Sequence, residues 1–218
     1  MLADVPAVVR RAAELAVRDR QGIVAYRIHR SSELRAGPYH RADDVDIAAA
    51  FDGRTLVKIR VLRDVTNGRA ANDAAKTQLE GELQRGQSAA AFAVPFDSRH
   101  FGEYRYSIVD ARDVTFASLR HDAQHGDGAL VFDPSGAVSK MVYSPQVLPR
   151  FATSAVITAR RAQVLPGFWA TIREEERYDG RYAFFRGSGT VTTVEDHFER
   201  FNSTAAAISA VEKADLRE

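Results

Sequence analysis

The side chains that could do chemistry in this chain fall into three groups: histidines, a run of carboxylates, and serines beside glycine. The stretch His121-Asp122-Ala123-Gln124-His125 holds an i, i+4 pair that on a helix face would suit zinc or copper. Gly126-Asp127-Gly128 follows at once and the glutamate of an HExxH pattern is missing, so the spacing favours an exposed polar hairpin loop. His121 and His125 stand as the metal candidate on that reading. In Glu174-Glu175-Glu176 the first and third carboxylates share a strand face and could do acid–base work if one were desolvated. Arg173 and Arg177 flank them, which favours a solvated strand with cross-strand ion pairs. Gly187-Ser188-Gly189 is too short for a nucleophile elbow and precedes a strand, so it reads as a turn. Ser135, Ser144 and Ser154 have no base at catalytic spacing. The acidic stretches Asp43-Asp44-Val45-Asp46 and Asp110-Ala111-Arg112-Asp113 lack calcium-loop spacing. The absence of cysteine excludes disulfides, thiolate zinc sites and a cysteine nucleophile. There is no phosphate loop and no cofactor signature, so the chemistry-bearing residues point away from an enzyme.

What remains is apolar surface. Phe168, Trp169, Met141, Tyr143 and Ile157, with Phe184 and Phe185, fall on adjacent strands of the expected sheet. Such a group is either ordinary sheet core or the lining of an apolar ligand cavity, and periodicity alone leaves both readings open.

The elements that must position these residues are legible from period and punctuation. Val5, Val8, Val9, Ala12, Leu15 and Ala16 recur at helical spacing behind Asp4 and Pro6, with Gln21-Gly22 as the stop. Alternating strands follow around Val24–Ile28, Val45–Phe51 and Val57–Val61, separated by Arg35-Ala36-Gly37-Pro38 and by Asp52-Gly53. The connections are too short for crossovers, so the meander is antiparallel. A second helix is expected from about Ala70 to Arg85, with Ala75, Leu79 and Leu83 in line. A ladder of hairpins then runs from Tyr104 to Phe201, with turns expected at Asp133-Pro134-Ser135-Gly136 and at Tyr178-Asp179-Gly180-Arg181. Residues 202–218 read as a terminal helix capped by Ser203 or as a frayed tail. No linker or repeat divides the chain, so residues 1–218 read as one α+β domain built on a single large antiparallel sheet.

With 30 basic and 29 acidic residues, the chain lacks the concentrated positive field of a nucleic-acid binder. No apolar run approaches the roughly 18 to 20 residues of a spanning helix. The start, Met1-Leu2-Ala3-Asp4-Val5-Pro6, enters a charged helical pattern without the apolar core of a signal peptide, which leaves two readings open: a cytoplasmic protein, or a mature segment with a start methionine in place of a removed export signal.

The element order and two segments carry a family resemblance. Gly128-Ala129-Leu130-Val131-Phe132-Asp133-Pro134-Ser135-Gly136-Ala137-Val138 is similar to the strand, D-P-x-G, strand hairpin of outer-membrane lipoprotein-sorting proteins, and Val191 to Phe201 resembles their last strand. Helix, three-strand meander, helix and hairpin run together resemble the LolA/LolB-like periplasmic lipoprotein-carrier superfamily. The resemblance implies a curved, unclosed β-barrel with an N-terminal helix and one or two further helices on its concave face. It also implies an apolar interior for a lipid or lipoprotein acyl chain, no enzymatic activity, and a periplasmic or otherwise extracytoplasmic site with an export signal upstream of Ala3. An envelope module with a packed sheet face and a protein partner is the alternative.

Overall fold

The computed structural model describes residues 5–18, 22–86, 92–148, 150–182 and 185–216. Helix α1 (Ala7–Arg18) starts after Pro6, whose carbonyl accepts the N–H groups of Val9 and Arg10. Proline suits that place because its missing N–H would have had no helical partner. Asp4 and Gln21, expected at the two ends of this helix, lie outside the described residues.

Eleven strands follow: β1 (Ile23–Ala36), β2 (Tyr39–Phe51), β3 (Leu56–Thr66), β4 (Arg69–Ala70), β5 (Tyr104–Ile108), β6 (Asp113–Ser118), β7 (Gly126–Phe132), β8 (Val138–Pro145), β9 (Ala152–Leu165), β10 (Phe168–Tyr182) and β11 (Phe185–Phe201). Helix α2 (Asp73–Gly86) falls between β4 and β5, and α3 (Thr204–Lys213) follows β11. All strands form one antiparallel sheet in the order β4-β3-β2-β1-β11-β10-β9-β8-β7-β6-β5. The first long strand therefore pairs with the last at the middle of the sheet. The outermost strands do not meet, which makes the sheet a curved, unclosed half-barrel.

Most turns form where expected. At the β7–β8 hairpin the Asp133 carboxylate accepts from the N–H groups of Ser135 and Ala137, and Gly136 takes φ +89°. The β2–β3 connection is longer than a two-residue turn, because Asp52 Oδ1 gathers the N–H groups of both Arg54 and Thr55. Two expected turns are not turns. Asp179-Gly180-Arg181 lies inside β10 and Gly187-Ser188-Gly189 inside β11, where Gly180 and Gly187 are paired across the ladder. Pairing on both flanks, with a register shift at Asp179/Gly180 on the β9 side, holds these glycines in the strands, and β10 and β11 stay paired out to Tyr182 and Phe185.

Cross-strand pairing defines the two faces of the sheet, since paired residues project to the same side. One row runs Met141, Ala159, Glu174, Thr193, Arg30 and Val45, and the next runs Tyr143, Ile157, Glu176, Val191, Ser32 and Asp43. On this inner face α1 covers β5 to β9, where Val5, Val9 and Ala12 pack with Tyr104, Val114, Phe116, Leu130, Phe132 and Val138. Helix α2 covers the other half: Leu79 and Leu83 pack on Ile47, Ile59 and Val61. Helix α3, capped by Ser203, lies on the opposite face, where Ala207 and Val211 meet Ala25, Ala48 and Ala50.

Helix α2 also guards an edge. Beyond the two residues of β4, the outer edge of β3 has no strand partner among the described residues. Glu80 accepts the Val61 N–H at 2.7 Å, Lys76 donates to the Leu62 carbonyl, and Gln84 donates to that of Leu56. Side chains of a helix thereby satisfy backbone groups that would otherwise template another strand.

Candidate functional site

The coverage by helices leaves the middle of the inner face, formed by β10, β11 and β1, between α1 and α2. Its composition changes along the strands. At the centre lie Glu174, Glu176 and Arg30; towards the end holding the β1–β2 and β10–β11 hairpins the residues become small and apolar.

The three glutamates divide by alternation. Glu175 points to the outer face, where Arg173 and Arg177 pair with it at 2.8 and 3.5 Å. Glu174 and Glu176 point inward. Tyr178 donates its hydroxyl to Glu176. Burial pushes the Glu174 carboxyl above its ordinary range, the Glu176 charge adds to the push, and Arg30 works against it. The expected solvated strand with cross-strand ion pairs therefore needs correction: the ion pairs join residues i and i+2 of one strand and involve only the middle glutamate. At the first, burial dominates instead.

Next to Tyr178 the inner face opens into an apolar pocket of about 150 Å³, lined by Leu34, Ala36, Phe151, Tyr178, Gly187 and Gly189 among others. Its floor is a patch of paired backbone: Leu34 opposite Gly189, Ala36 opposite Gly187, and Gly180 opposite both Gly187 and Ala152. Gly180 and Gly187 let neighbouring backbone approach closely, a β-carbon at Gly180 colliding with the Phe151 carbonyl, and only Gly189 leaves room for a side chain. At Gly187 a β-carbon would meet the Arg35 carbonyl at 2.6 Å, whereas at Gly189 the first side-chain contact is Leu34 at 3.5 Å.

Two other cavities lie elsewhere. The larger, about 490 Å³, is on the outer face under α3 beside the β1–β11 bulge at His197, and has polar and apolar walls. The other, about 240 Å³, lies between α2 and the segment after α3 and is walled by charged side chains such as Arg60, Asp73, Lys76 and Glu80. An acyl chain needs walls with few polar groups to desolvate, and of the three the inner pocket comes nearest to that, with Asp179, Arg181 and Ser188 as its polar neighbours.

The residues expected to line a cavity are split by the structure. Met141, Tyr143 and Ile157 come together, each 8% exposed, within the cluster that α1 covers. Phe92 stacks on Tyr143 at 4.1 Å, and burial raises the Tyr143 phenol above its ordinary value. Phe168 is buried elsewhere, edge-on to Phe51 at 6.4 Å and beside Phe198 at 6.5 Å. Trp169 is half-buried opposite Gln163. None of the five lines the apolar pocket. Phe185 is 46% exposed, and Phe184 lies outside the described residues. The pocket's own residues were missed because its glycines were read as turns. The available signal was their phase: Gly187 and Gly189 continue the two-residue period of Val191 and Thr193.

The histidine loop also differs from expectation. His121 is exposed and meets Gln146 at 3.2 Å. His125 is buried: its Nδ1 lies 2.5 Å from Asp122 and its Nε2 3.2 Å from Glu103. The loop folds back because Ala93 donates its N–H to the Gln124 carbonyl and Gln146 to that of His125. Burial by itself would lower the His125 pKa, but its bonds to Asp122 and Glu103 outweigh that and raise it. Among the described residues no group of three or more His, Cys, Asp or Glu is arranged to hold a metal ion.

No family model matches the chain, and no curated protein sequence matches it either. Among solved structures the chain is similar to a candidate outer membrane lipoprotein-sorting protein domain from Vibrio parahaemolyticus, with a TM-score of 0.45 at 10% identity over 94% of this chain and 98% of that one. A DUF1329 family protein from Desulfovibrio piger follows, with a TM-score of 0.43 at 10% identity over 96% and 99% of the two chains. A LolA superfamily protein from Nitrosomonas europaea gives 0.33 at 11% identity over 90% and 93%. The features expected from the family resemblance, an N-terminal helix on one long unclosed antiparallel sheet with a further helix on its inner face, are those of the structure. No helix among the described residues is long and apolar enough to cross a membrane.

Proposed function

We propose that this protein is a non-enzymatic binder of a lipid or lipoprotein acyl chain, working outside the cytoplasm in the cell envelope. The observation that carries the reading is the glycine-floored apolar pocket on the uncovered part of the inner face. Its volume suits one end of an acyl chain. Met141, Tyr143 and Ile157, next along the same face under α1, are the surface a longer chain would reach if α1 lifted, with Phe168 and Trp169 further out. Among the described residues the polar centre of the face, with Glu174 and Glu176, holds no group arranged for a metal ion.

The test is displacement of a fluorescent fatty acid by an unlabelled one, in the native chain and in Gly189→Leu. A β-carbon there meets Leu34 Cδ1 at 3.5 Å and the Glu33 carbonyl at 3.6 Å, both ordinary van der Waals contacts, so leucine fits without displacing backbone. Excluding about two methylenes of ligand should weaken binding about tenfold, with little change in melting temperature. Equal affinity in the variant would remove the pocket as the site. No binding in either protein, together with an organic extract free of lipid, would favour the alternative of an envelope protein–protein module, for which the closed packing under α1 is the supporting observation.

A further inference from the structure

One end of the half-barrel carries a concentration of exposed apolar side chains. Of the ten large apolar residues left exposed among the described residues, five sit there: Tyr39, Leu119, Val147, Phe151 and Phe185. They belong to the β1–β2 and β10–β11 hairpins and to the β6–β7 and β8–β9 connections, which antiparallel pairing brings to the same end of the sheet. The tips touch. The Phe185 ring lies directly over Gly37 of the β1–β2 turn, which at φ +57° has no room for a β-carbon, and the Arg181 N–H donates to the Phe151 carbonyl at 2.8 Å. Phe151 and Phe185 are 48% and 46% exposed. Isolated exposed apolar residues need no explanation, but a ring of them on linked tips does.

The part of the rim around Phe151 and Phe185 is basic, whereas the β6–β7 part carries Glu103, Asp122 and Asp127. Arg150, Arg181 and Arg186 are exposed and make no ion pair among the described residues, and Arg181 and Arg186 stand opposite each other across the ladder. Of the acids nearby, Glu33 is paired with Arg35 and His40, and Asp43 with Arg41; Asp179 bonds only the neutral Ser154, so one carboxylate stands against these three arginines. Exposed phenylalanines among arginines that outnumber the unpaired acid beside them match the boundary of an anionic bilayer, where rings enter the headgroup layer and guanidinium groups meet phosphates. The apolar pocket opens at this rim, since Phe151 and Arg181 line both.

We propose that this rim docks the protein on an anionic membrane surface, with the hairpin tips as the contact and the apolar pocket facing the lipid. The docking surface stands whether or not the pocket holds an acyl chain. The fatty-acid displacement assay in free solution tests the pocket alone, so the two readings can fail separately.

Co-sedimentation of the full chain with vesicles tests the docking, using phosphatidylcholine with and without phosphatidylglycerol. Binding to the mixed vesicles, weakened by added salt, is expected, with much less binding to phosphatidylcholine alone. Arg181→Ala with Arg186→Ala should lower the partition coefficient on mixed vesicles roughly fivefold per arginine. Phe151→Ser with Phe185→Ser should lower it whatever the salt concentration. Ile108→Ser with Val109→Ser, exposed at the opposite end, should leave it unchanged. Thermal melts by circular dichroism verify that each variant is folded. Failure to bind either vesicle overturns the proposal, and salt-sensitive retention on a sulfonate resin in that case would assign the arginines to an acidic protein partner. Equal binding to both vesicles, or binding that the rim variants leave intact, also overturns it.

Discussion

His125 shows how one buried side chain ties a loop to the sheet. It bridges Asp122 in its own loop and Glu103 at the start of β5, and it packs 5.6 Å from the Tyr104 ring. Glu103 in turn accepts from His100 and forms an ion pair with Arg120. Burial alone would raise its pKa, and these hydrogen bonds and charges hold it below the usual range instead. Because the folded pKa of His125 is raised, its contribution to stability is fully present below the unfolded value of about 6.5 and is lost as pH rises through the folded value. His125→Ala should therefore cost about 1 to 3 kcal/mol at pH 6, and clearly less of the charge-dependent part at pH 8. His121→Ala, at an exposed position, should stay within about 0.5 kcal/mol. Urea melts of both variants at the two pH values check this; equal losses at both pH values for His125→Ala would mean that the histidine serves only to fill space.

At the scale of the element, α2 is the most informative. Gly81 inside it lowers its intrinsic helicity by about 1 kcal/mol against alanine, and its apolar stripe is narrow, so it depends on docking. What it covers is the exposed edge of β3, eleven residues long and rich in β-branched side chains. The opposite edge, β5, is only five residues long and carries Arg105, which limits its capacity to recruit another strand. Leu79→Asp with Leu83→Asp should detach α2 from Ile47, Ile59 and Val61. The monomer should then give way to edge-paired oligomers that grow with concentration. Size-exclusion chromatography with light scattering reads this out, and a variant that stays monomeric at every concentration would show that α2 does not protect the edge.

At the scale of the whole molecule, the sheet is closed at its middle by the pair most distant in sequence. Residues 23–36 cannot complete their hydrogen bonds until residues 185–201 arrive, and the same β11 joins β10 to the amino-terminal meander. Topologies dominated by such non-local pairing pay loop-closure entropy before contacts form, which makes folding slow. A chain ending at Tyr182 keeps β1 to β10 but loses the strand that connects them. It should lack a single cooperative urea transition and expose apolar surface to dyes, while the full chain unfolds in one step. A cooperative transition in the truncated chain would mean that the two halves are stable without their central strand.

Local pattern was enough to place α1, the three-strand meander, α2 and most of the hairpins, because amphipathic period and turn chemistry act over a few residues. Asp133-Pro134-Ser135-Gly136 is a turn in isolation as much as in the fold. The faces of the sheet were half legible: alternation separates Glu175 from Glu174 and Glu176, yet nothing local says which side the helices cover. Gly180, Gly187 and Gly189 were misread because glycine breaks strands only where no neighbour pairs with it, and their neighbours come from β1 and β9, far away in sequence. His125 was misplaced for the same reason, since its burial depends on Glu103 and on the backbone around Ala93. The pocket, the helix-covered half of the inner face and the basic aromatic rim are all products of strand register across β1, β11, β10 and β9. Register between distant strands is set by packing energies summed over the whole sheet, so it became visible only once the chain was folded.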